Sequence, residues 1–251
     1  MIIDAHAHVD EVTSLGWIDP PEKIVALMDE AGIDQAVVMT YTDLPGHNPD
    51  ALEYLARQVA RFPERLIGFA RLNPAYPDEA ERLLERALTV HRMKGLKLHP
   101  VSTLAHPGAE PTVRLIRQAA RYQAPVLFHC GDEPLTTPLQ IALAGEQVPE
   151  AQIILGHMGG YFHPAEAIEA AARVPNLLLE TSAMPYPALI RRAVDVLGPE
   201  RVLFATDGPG CWPRLELRKL ELAGLTAAER EQVQHQNVAR LLAGVRHGDL
   251  R

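Results

Sequence analysis

Eight short apolar runs recur along this chain, each followed by a turn and then by a longer stretch with helical spacing. The runs are MIIDAHAH, QAVVMTY, RLIGFARLN, GLKLHP, APVLFHC, AQIILGH, PNLLLETS and RVLFATD. Between them lie PPEKIVALMDEAG, PDALEYLARQVARF, PDEAERLLERALTV, PTVRLIRQAARYQ, PLTTPLQIALAGEQ, PAEAIEAAARV and YPALIRRAVDVLG, several with proline in the first turn. Runs that are apolar on both faces belong to parallel strands covered by helices. Eight such units in 251 residues match a closed (β/α)8 barrel, which takes roughly 250 residues. The expected fold is therefore α/β, a single TIM barrel forming one domain over residues 1–251. A doubly wound open sheet is the alternative, but no GxGxxG follows any run. The stretch TAAEREQVQHQNVARLLAG reads as a last amphipathic helix ending near Gly244.

Composition narrows the partners. The 47% hydrophobic content is ample for one continuous core. A net charge of −8 disfavours nucleic acid and anionic membrane surfaces, so a small-molecule substrate is the expected partner, with self-association into a homo-oligomer left open. No apolar run reaches the length of a membrane span. The first run begins directly after Met1 and leaves no room for a signal peptide, so a cytoplasmic location is expected. Cys130 and Cys211 form no CxxC pair, which argues against a disulfide framework or a structural zinc site.

The first run poses a chemical problem. In IIDAHAHVD, strand alternation puts Asp4, His6 and His8 on one face and Ile3, Ala5, Ala7 and Val9 on the other. If the polar face is buried, its desolvation must be offset by mutual hydrogen bonds or by a metal. Further polar outliers end other runs: Lys97, His129, His157 and Asp207. In a barrel those ends converge on the one face where catalysis occurs. Imidazoles with a carboxylate are the ligand set of a divalent transition metal.

The segments IDAHAH, GLKLHP, LFHCG, ILGHMGG and LFATDGPG resemble the amidohydrolase superfamily. Their order resembles its amidohydrolase-related branch of metal-dependent barrel hydrolases, which includes aminocarboxymuconate semialdehyde decarboxylase and pyrone dicarboxylate lactonase. The resemblance runs from Ile3 to the NVARLL of the last helix. It implies that His6, His8, His129 and Asp207 bind the metal, with His157 as a further ligand or a base. Zinc is the first expectation, with manganese, iron or cobalt as alternatives, in one or two ions. Asp207 and His157 are the expected catalytic residues. Lys97 would bridge two ions if carboxylated; unmodified, its ammonium would neutralise Asp207 or bind a substrate carboxylate. His99 and Arg71 are candidate substrate contacts.

Asp4 reads as structural or as supporting a metal ligand from behind, Cys130 as a packed thiol, and His163 as a helix-entry or rim residue. His47, His91, His106, His235 and His247 read as surface residues. YTDLPGHNPD and VSTLAHPGAEP are the longest candidate lids.

The leading expectation is a hydrolase in which metal-activated water attacks an amide, lactone or ester carbonyl. A non-oxidative decarboxylase of an unsaturated or aromatic acid is the runner-up, because the same branch hosts that chemistry on the same ligands. A non-catalytic metal- or ligand-binding barrel is the third reading. The chain is short for the branch's elaborated decarboxylases, which tilts the balance towards hydrolysis.

Overall fold

The computed structural model describes residues 1–12, 16–41 and 49–248. His47 and most of the lid stretch 41–50 fall outside these. Among the described residues eight parallel strands follow one another in the order β1 (Ile3–His8), β4 (Gln35–Met39), β5 (Leu66–Arg71), β6 (Gly95–Leu98), β7 (Val126–Phe128), β8 (Ile153–Leu155), β9 (Leu177–Glu180) and β10 (Val202–Leu203). The remaining strands, β2 (Asp10–Val12) and β3 (Trp17–Asp19), form a small antiparallel hairpin that the sequence pattern had not indicated. All eight expected strands are present.

The sheet closes on itself. Beyond β10 the chain continues alongside β1: Ala5 N donates to Phe204 O at 3.0 Å, Asp207 N to His6 O at 2.7 Å, and His8 N to Gly208 O at 2.7 Å. This closure excludes the open doubly wound alternative and makes the fold a TIM barrel.

Helices cover the outside, and most open on proline, whose fixed φ and missing N–H suit a first turn. They are Pro21–Ala31, Pro49–Arg61, Pro77–Thr89, Glu110–Arg121, Pro138–Gln147, Pro164–Arg173, Pro187–Leu197 and Pro213–Leu222. The helix after β7 starts at Pro138 rather than at Pro134. Thr137 precedes a proline and is held extended at φ −65°, ψ 149°, so the helix cannot begin earlier through it. VSTLAHPGAEP contributes most of a single turn, Pro100–Thr103.

Two apolar layers result. Outward-facing Ala36, Val38, Leu66, Leu96, Val126, Ile153 and Leu177 pack with helix residues such as Ile24, Met28, Leu84, Ile116 and Ile168. Inside the barrel lie Val37, Met39, Phe69, Leu127, Ile154, Leu178 and Leu203, with Val238, Leu241 and Leu242 from the final helix Asn237–Gly244 as their floor. That final stretch is helical as expected. It starts with a capping box at Thr226 and Glu229 and widens into a π turn over Gln232–Gln236.

The first strand departs from simple alternation. Its register against β4 shifts between Asp4 and Ala7, the mark of a bulge. Ile3 and Ala5 therefore join the interior layer, whereas Ala7 and Val9 join the outer one. Asp4 does not share the site with the histidines. Its carboxylate accepts from Thr206 N at 2.9 Å and Thr206 Oγ1 at 2.5 Å, stitching the seam between first and last strands. Burial pushes its pKa up to about 8. No helix among the described residues is long and apolar enough to cross a membrane.

Candidate metal centre

Strand ends deliver the polar side chains to one place. His6 and His8 come from β1, Lys97 from β6, and Glu180 ends β9; His129, His157 and Asp207 follow β7, β8 and β10. His6 Nε2 lies 3.1 Å from His8 Nε2. Asp207 Oδ1 lies 3.0 Å from His8 Nε2 and 3.5 Å from His6 Nε2. Lys97 Nζ donates to His6 Nε2 at 2.9 Å. The His6 and His157 rings are 5.1 Å apart, and His157 Nε2 is 3.1 Å from His129 Nδ1.

Three possible ligand atoms therefore face one another: two imidazole nitrogens and a carboxylate oxygen. Such a group repels itself unless protons or a cation lie between its members, and its chemistry is that of a divalent transition-metal site. The residues present fit a metal. His129 reaches this group only through His157. It also stacks on His99 with ring centres 4.1 Å apart, and its Nε2 is 3.3 Å from Glu133 Oε2. A second possible donor group is His6, His157 and Glu180; in it His6 Nδ1 is bonded to Glu180, and the His157 ring bonds to Ser182 and His129.

Glu180, which sequence reasoning passed over, is completely buried. Its Oε1 accepts from His6 Nδ1 at 2.9 Å, from the His157 backbone N at 2.8 Å and from Ser182 Oγ at 2.9 Å. Its Oε2 accepts from Ser182 N at 2.7 Å. Ser182 Oγ is in turn 2.8 Å from His157 Nδ1. The signal was available, since PNLLLETS ends in a polar residue as the histidine-bearing runs do.

Electrostatics separate the acid from the bases. Burial, followed by the charge of Lys97, holds the His6 imidazole well below its ordinary pKa. Burial likewise lowers His8, and it brings His157 down to about 4. Burial pushes the Asp207 carboxyl upward, but the bond from His8 and the surrounding imidazoles outweigh it and hold Asp207 well below the usual carboxylate range. At neutral pH the site thus presents neutral imidazoles and an anionic carboxylate, the forms a metal binds.

Two of these side chains sit on strained backbone. His157 (φ 60°, ψ 12°) and Asp207 (φ 59°) occupy the left-handed region, which costs a residue with a β-carbon ~1–2 kcal/mol. Each is held there by its own amide, His157 N on Glu180 and Asp207 N on His6 O. Strain of this kind gathers where geometry serves a site.

The mouth carries further groups. Arg71 donates to Thr40 O and Ser102 Oγ, both at 3.2 Å, and its charge reaches His8 and His99. His99 accepts from Ser102 N through Nδ1 at 3.4 Å. Tyr41, another residue the sequence did not single out, stacks on His8 with ring centres 3.9 Å apart, and Trp17 of the hairpin lies 4.0 Å beyond it. Cys130 is fully buried among apolar neighbours, and burial pushes its thiol up. His163 stands directly before the helix Pro164–Arg173. His91, His106, His235 and His247 are half-buried near the surface.

A family model described as amidohydrolase matches residues 3–243. Among solved structures the chain resembles 2,6-dihydroxybenzoate decarboxylase from Rhizobium, with 17% identity, 96% of this chain and 98% of that chain covered, and a TM-score of 0.78. It also resembles 5-carboxyvanillate decarboxylase from Sphingomonas paucimobilis, with 17% identity, 96% and 98% covered, and a TM-score of 0.74. A dihydroxybenzoic acid decarboxylase from Polaromonas, solved with bound manganese and the inhibitor 2-nitroresorcinol, shows 19% identity, 96% of each chain covered and a TM-score of 0.77. No curated protein sequence matches the chain.

Proposed function

This chain belongs to the amidohydrolase family, and from that premise we propose that it is a metal-dependent, non-oxidative decarboxylase of a small aromatic or unsaturated carboxylic acid, acting as one catalytic domain. The observation that carries the reading is the pairing, in one site, of an imidazole–carboxylate donor group with two cationic side chains, Lys97 and Arg71. A substrate that is itself an anion needs such cations. Several of the solved structures it resembles support the same choice, being decarboxylases of 2,6-dihydroxybenzoate, 5-carboxyvanillate and dihydroxybenzoic acid.

His6, His8 and Asp207 would hold a divalent ion, with His129 and His157 beside them, and when bound that ion supplies positive charge that stabilises negative charge developing on substrate oxygens. Manganese has support from a similar protein, and zinc suits the donor set equally well. Lys97 and Arg71 neutralise the substrate's acidic groups. Tyr41, packed between His8 and Trp17, would hold the His8 ring in place beside the substrate. Decarboxylation breaks the bond between the substrate carbon and its carboxylate, the carbon keeps the electron pair, carbon dioxide leaves and a proton takes its place. Asp207, whose side chain is 23% exposed at the mouth, would relay that proton from solvent to the carbon.

Hydrolysis of an amide, lactone or ester is the second reading. The deprotonated state of Asp207 favours it, because the same carboxylate can take a proton from attacking water. Turnover of a panel of hydroxybenzoates, unsaturated acids, lactones and amides in ¹⁸O-labelled water separates the two. Carbon dioxide release without ¹⁸O in the organic product supports decarboxylation. Incorporation of ¹⁸O without carbon dioxide establishes hydrolysis instead.

A further inference from the structure

We infer that Glu180 is a positioning residue for the metal centre: it fixes which nitrogen His6 presents to the ion and locks His157 to the same anchor. The inference rests on the metal reading above. It adds a residue that contributes no ligand of its own in this arrangement.

An imidazole can serve as a ligand through either nitrogen, and the choice is made by what the other nitrogen donates to. Glu180 Oε1 is a carboxylate oxygen and only accepts, so at 2.9 Å the bond requires the proton to sit on His6 Nδ1. The lone pair of His6 Nε2 then points at His8 and Asp207. The approach of Lys97 Nζ to that same Nε2 agrees, since an ammonium needs a lone pair there. A neutral acceptor could orient the ring too, but a buried anion also strengthens the ring as a donor to a cation.

The same oxygen reaches the other half of the site. It accepts from the His157 backbone amide and from Ser182 Oγ, which is itself in hydrogen-bond reach of His157 Nδ1. His157 sits on left-handed backbone, so its amide bond to Glu180 is part of what keeps the side chain where it is. One carboxylate thus holds residues from the first and sixth strands of the barrel. Nothing else among the described residues is positioned to receive the His6 Nδ1 proton at this distance.

Glu180→Gln is the direct test because it keeps the shape. With its carbonyl oxygen at the Oε1 position, the variant turns an NH₂ towards Ser182 N and loses the negative charge behind His6. Chelator-stripped wild type and variant are titrated with Mn²⁺ by equilibrium dialysis, and their melting temperatures are measured without metal. The expected result is a 10- to 100-fold weaker affinity in the variant, the size usual for a lost partner behind a ligating histidine, in a chain that still folds. An unchanged affinity in the folded variant, with only a lower melting temperature, assigns Glu180 to stability and overturns the inference.

A variant that fails to fold leaves a second measurement on the full wild-type chain. Nitrogen-15 NMR of the zinc-loaded protein, with the His6 signals identified by their loss in His6→Gln, is expected to show a proton on Nδ1 and zinc on Nε2. A proton on Nε2 overturns the inference. A wild-type chain that binds neither Mn²⁺ nor Zn²⁺ overturns the metal reading and this inference with it.

Discussion

His8 Nε2 and Asp207 Oδ1 lie 3.0 Å apart although 199 positions separate them in the sequence. The bond crosses the seam where the sheet closes, so the event that completes the barrel also assembles the donor group. The closing seam and the candidate site both run through Asp207, and a substitution can partly divide its two proposed roles.

Asp207→Asn keeps the shape and one oxygen, but removes the charge and nearly all basicity. Asparagine tolerates the left-handed backbone at this position, so folding is expected to survive with a melting temperature near that of the wild type. The turnover number on a working substrate should fall roughly 10²- to 10⁴-fold, as for loss of a proton carrier. Near-normal turnover with metal bound would rule Asp207 out of that role.

Chelation should abolish turnover, and Mn²⁺ or Zn²⁺ should restore it. An ion present at a hundred times its dissociation constant stabilises the folded state by about 2.7 kcal/mol. For a chain of this size that raises the melting temperature by roughly 5–10 °C. Calorimetry with and without chelator checks this, and full activity in a metal-free preparation would defeat the mechanism.

Lys97 is almost completely buried, and its ammonium carries a desolvation cost that its bond to His6 Nε2 offsets only in part. Lys97→Met should leave the metal-free melting temperature unchanged or raise it, while kcat/KM on an acidic substrate drops at least about tenfold. Unchanged kcat/KM would mean that the amine has no part in holding the acid.

Glu216, which accepts from Ala183 N just beyond Glu180, supplies a pH signature of its own. Burial, opposed by the ammonium of Lys219, raises its pKa to about 7 from an ordinary 4.5. The folded chain therefore keeps a proton that the unfolded chain releases, and this contribution to stability is complete below pH 4.5 and lost as pH rises towards 7. Urea unfolding of wild type and Glu216→Gln at pH 5 and pH 8 should show the wild type losing about 1–3 kcal/mol relative to the variant between the two. Parallel curves would disprove the shift.

Gly156 allows two strand ends to approach. A β-carbon there would stand 2.5 Å from Phe128 O and 3.2 Å from Glu180 Oε1. Gly156→Ala must push apart the backbones that carry His129 and His157. A loss of about 1–3 kcal/mol on unfolding is expected, together with weakened Mn²⁺ binding. Wild-type affinity in the variant would show that the centre tolerates this displacement.

The barrel was legible because strands buried on both faces leave unbroken apolar runs, and a polar residue at the end of such a run stands out. His6, His8, Lys97, His129, His157 and Asp207 all declared themselves in this way. Glu180 ends a run just as plainly but was passed over, because a lone carboxylate after leucines also reads as an ordinary strand end. The bulge in β1 could not be read at all, since it depends on how Asp4 meets Thr206 across the seam. The helix Pro213–Leu222 was hidden by its charges: PRLELRKLEL buries little more than Pro213, Glu216 and Leu220. Tyr41, just after β4, and Trp17 of the hairpin came to the site only through tertiary packing, Tyr41 on His8 and Trp17 on Tyr41.

The floor of the barrel, laid by Val238, Leu241 and Leu242, has a consequence for how the protein is born. On a ribosome working at 5–20 residues per second, β1 must wait roughly 10–40 s for the segment around residue 205 that zips to it, and longer for the helix that seals it from below. Throughout that interval His6 and His8 stand without the Asp207 that meets them across the seam. A nascent chain arrested before residue 204 should therefore bind Mn²⁺ more weakly than the full chain.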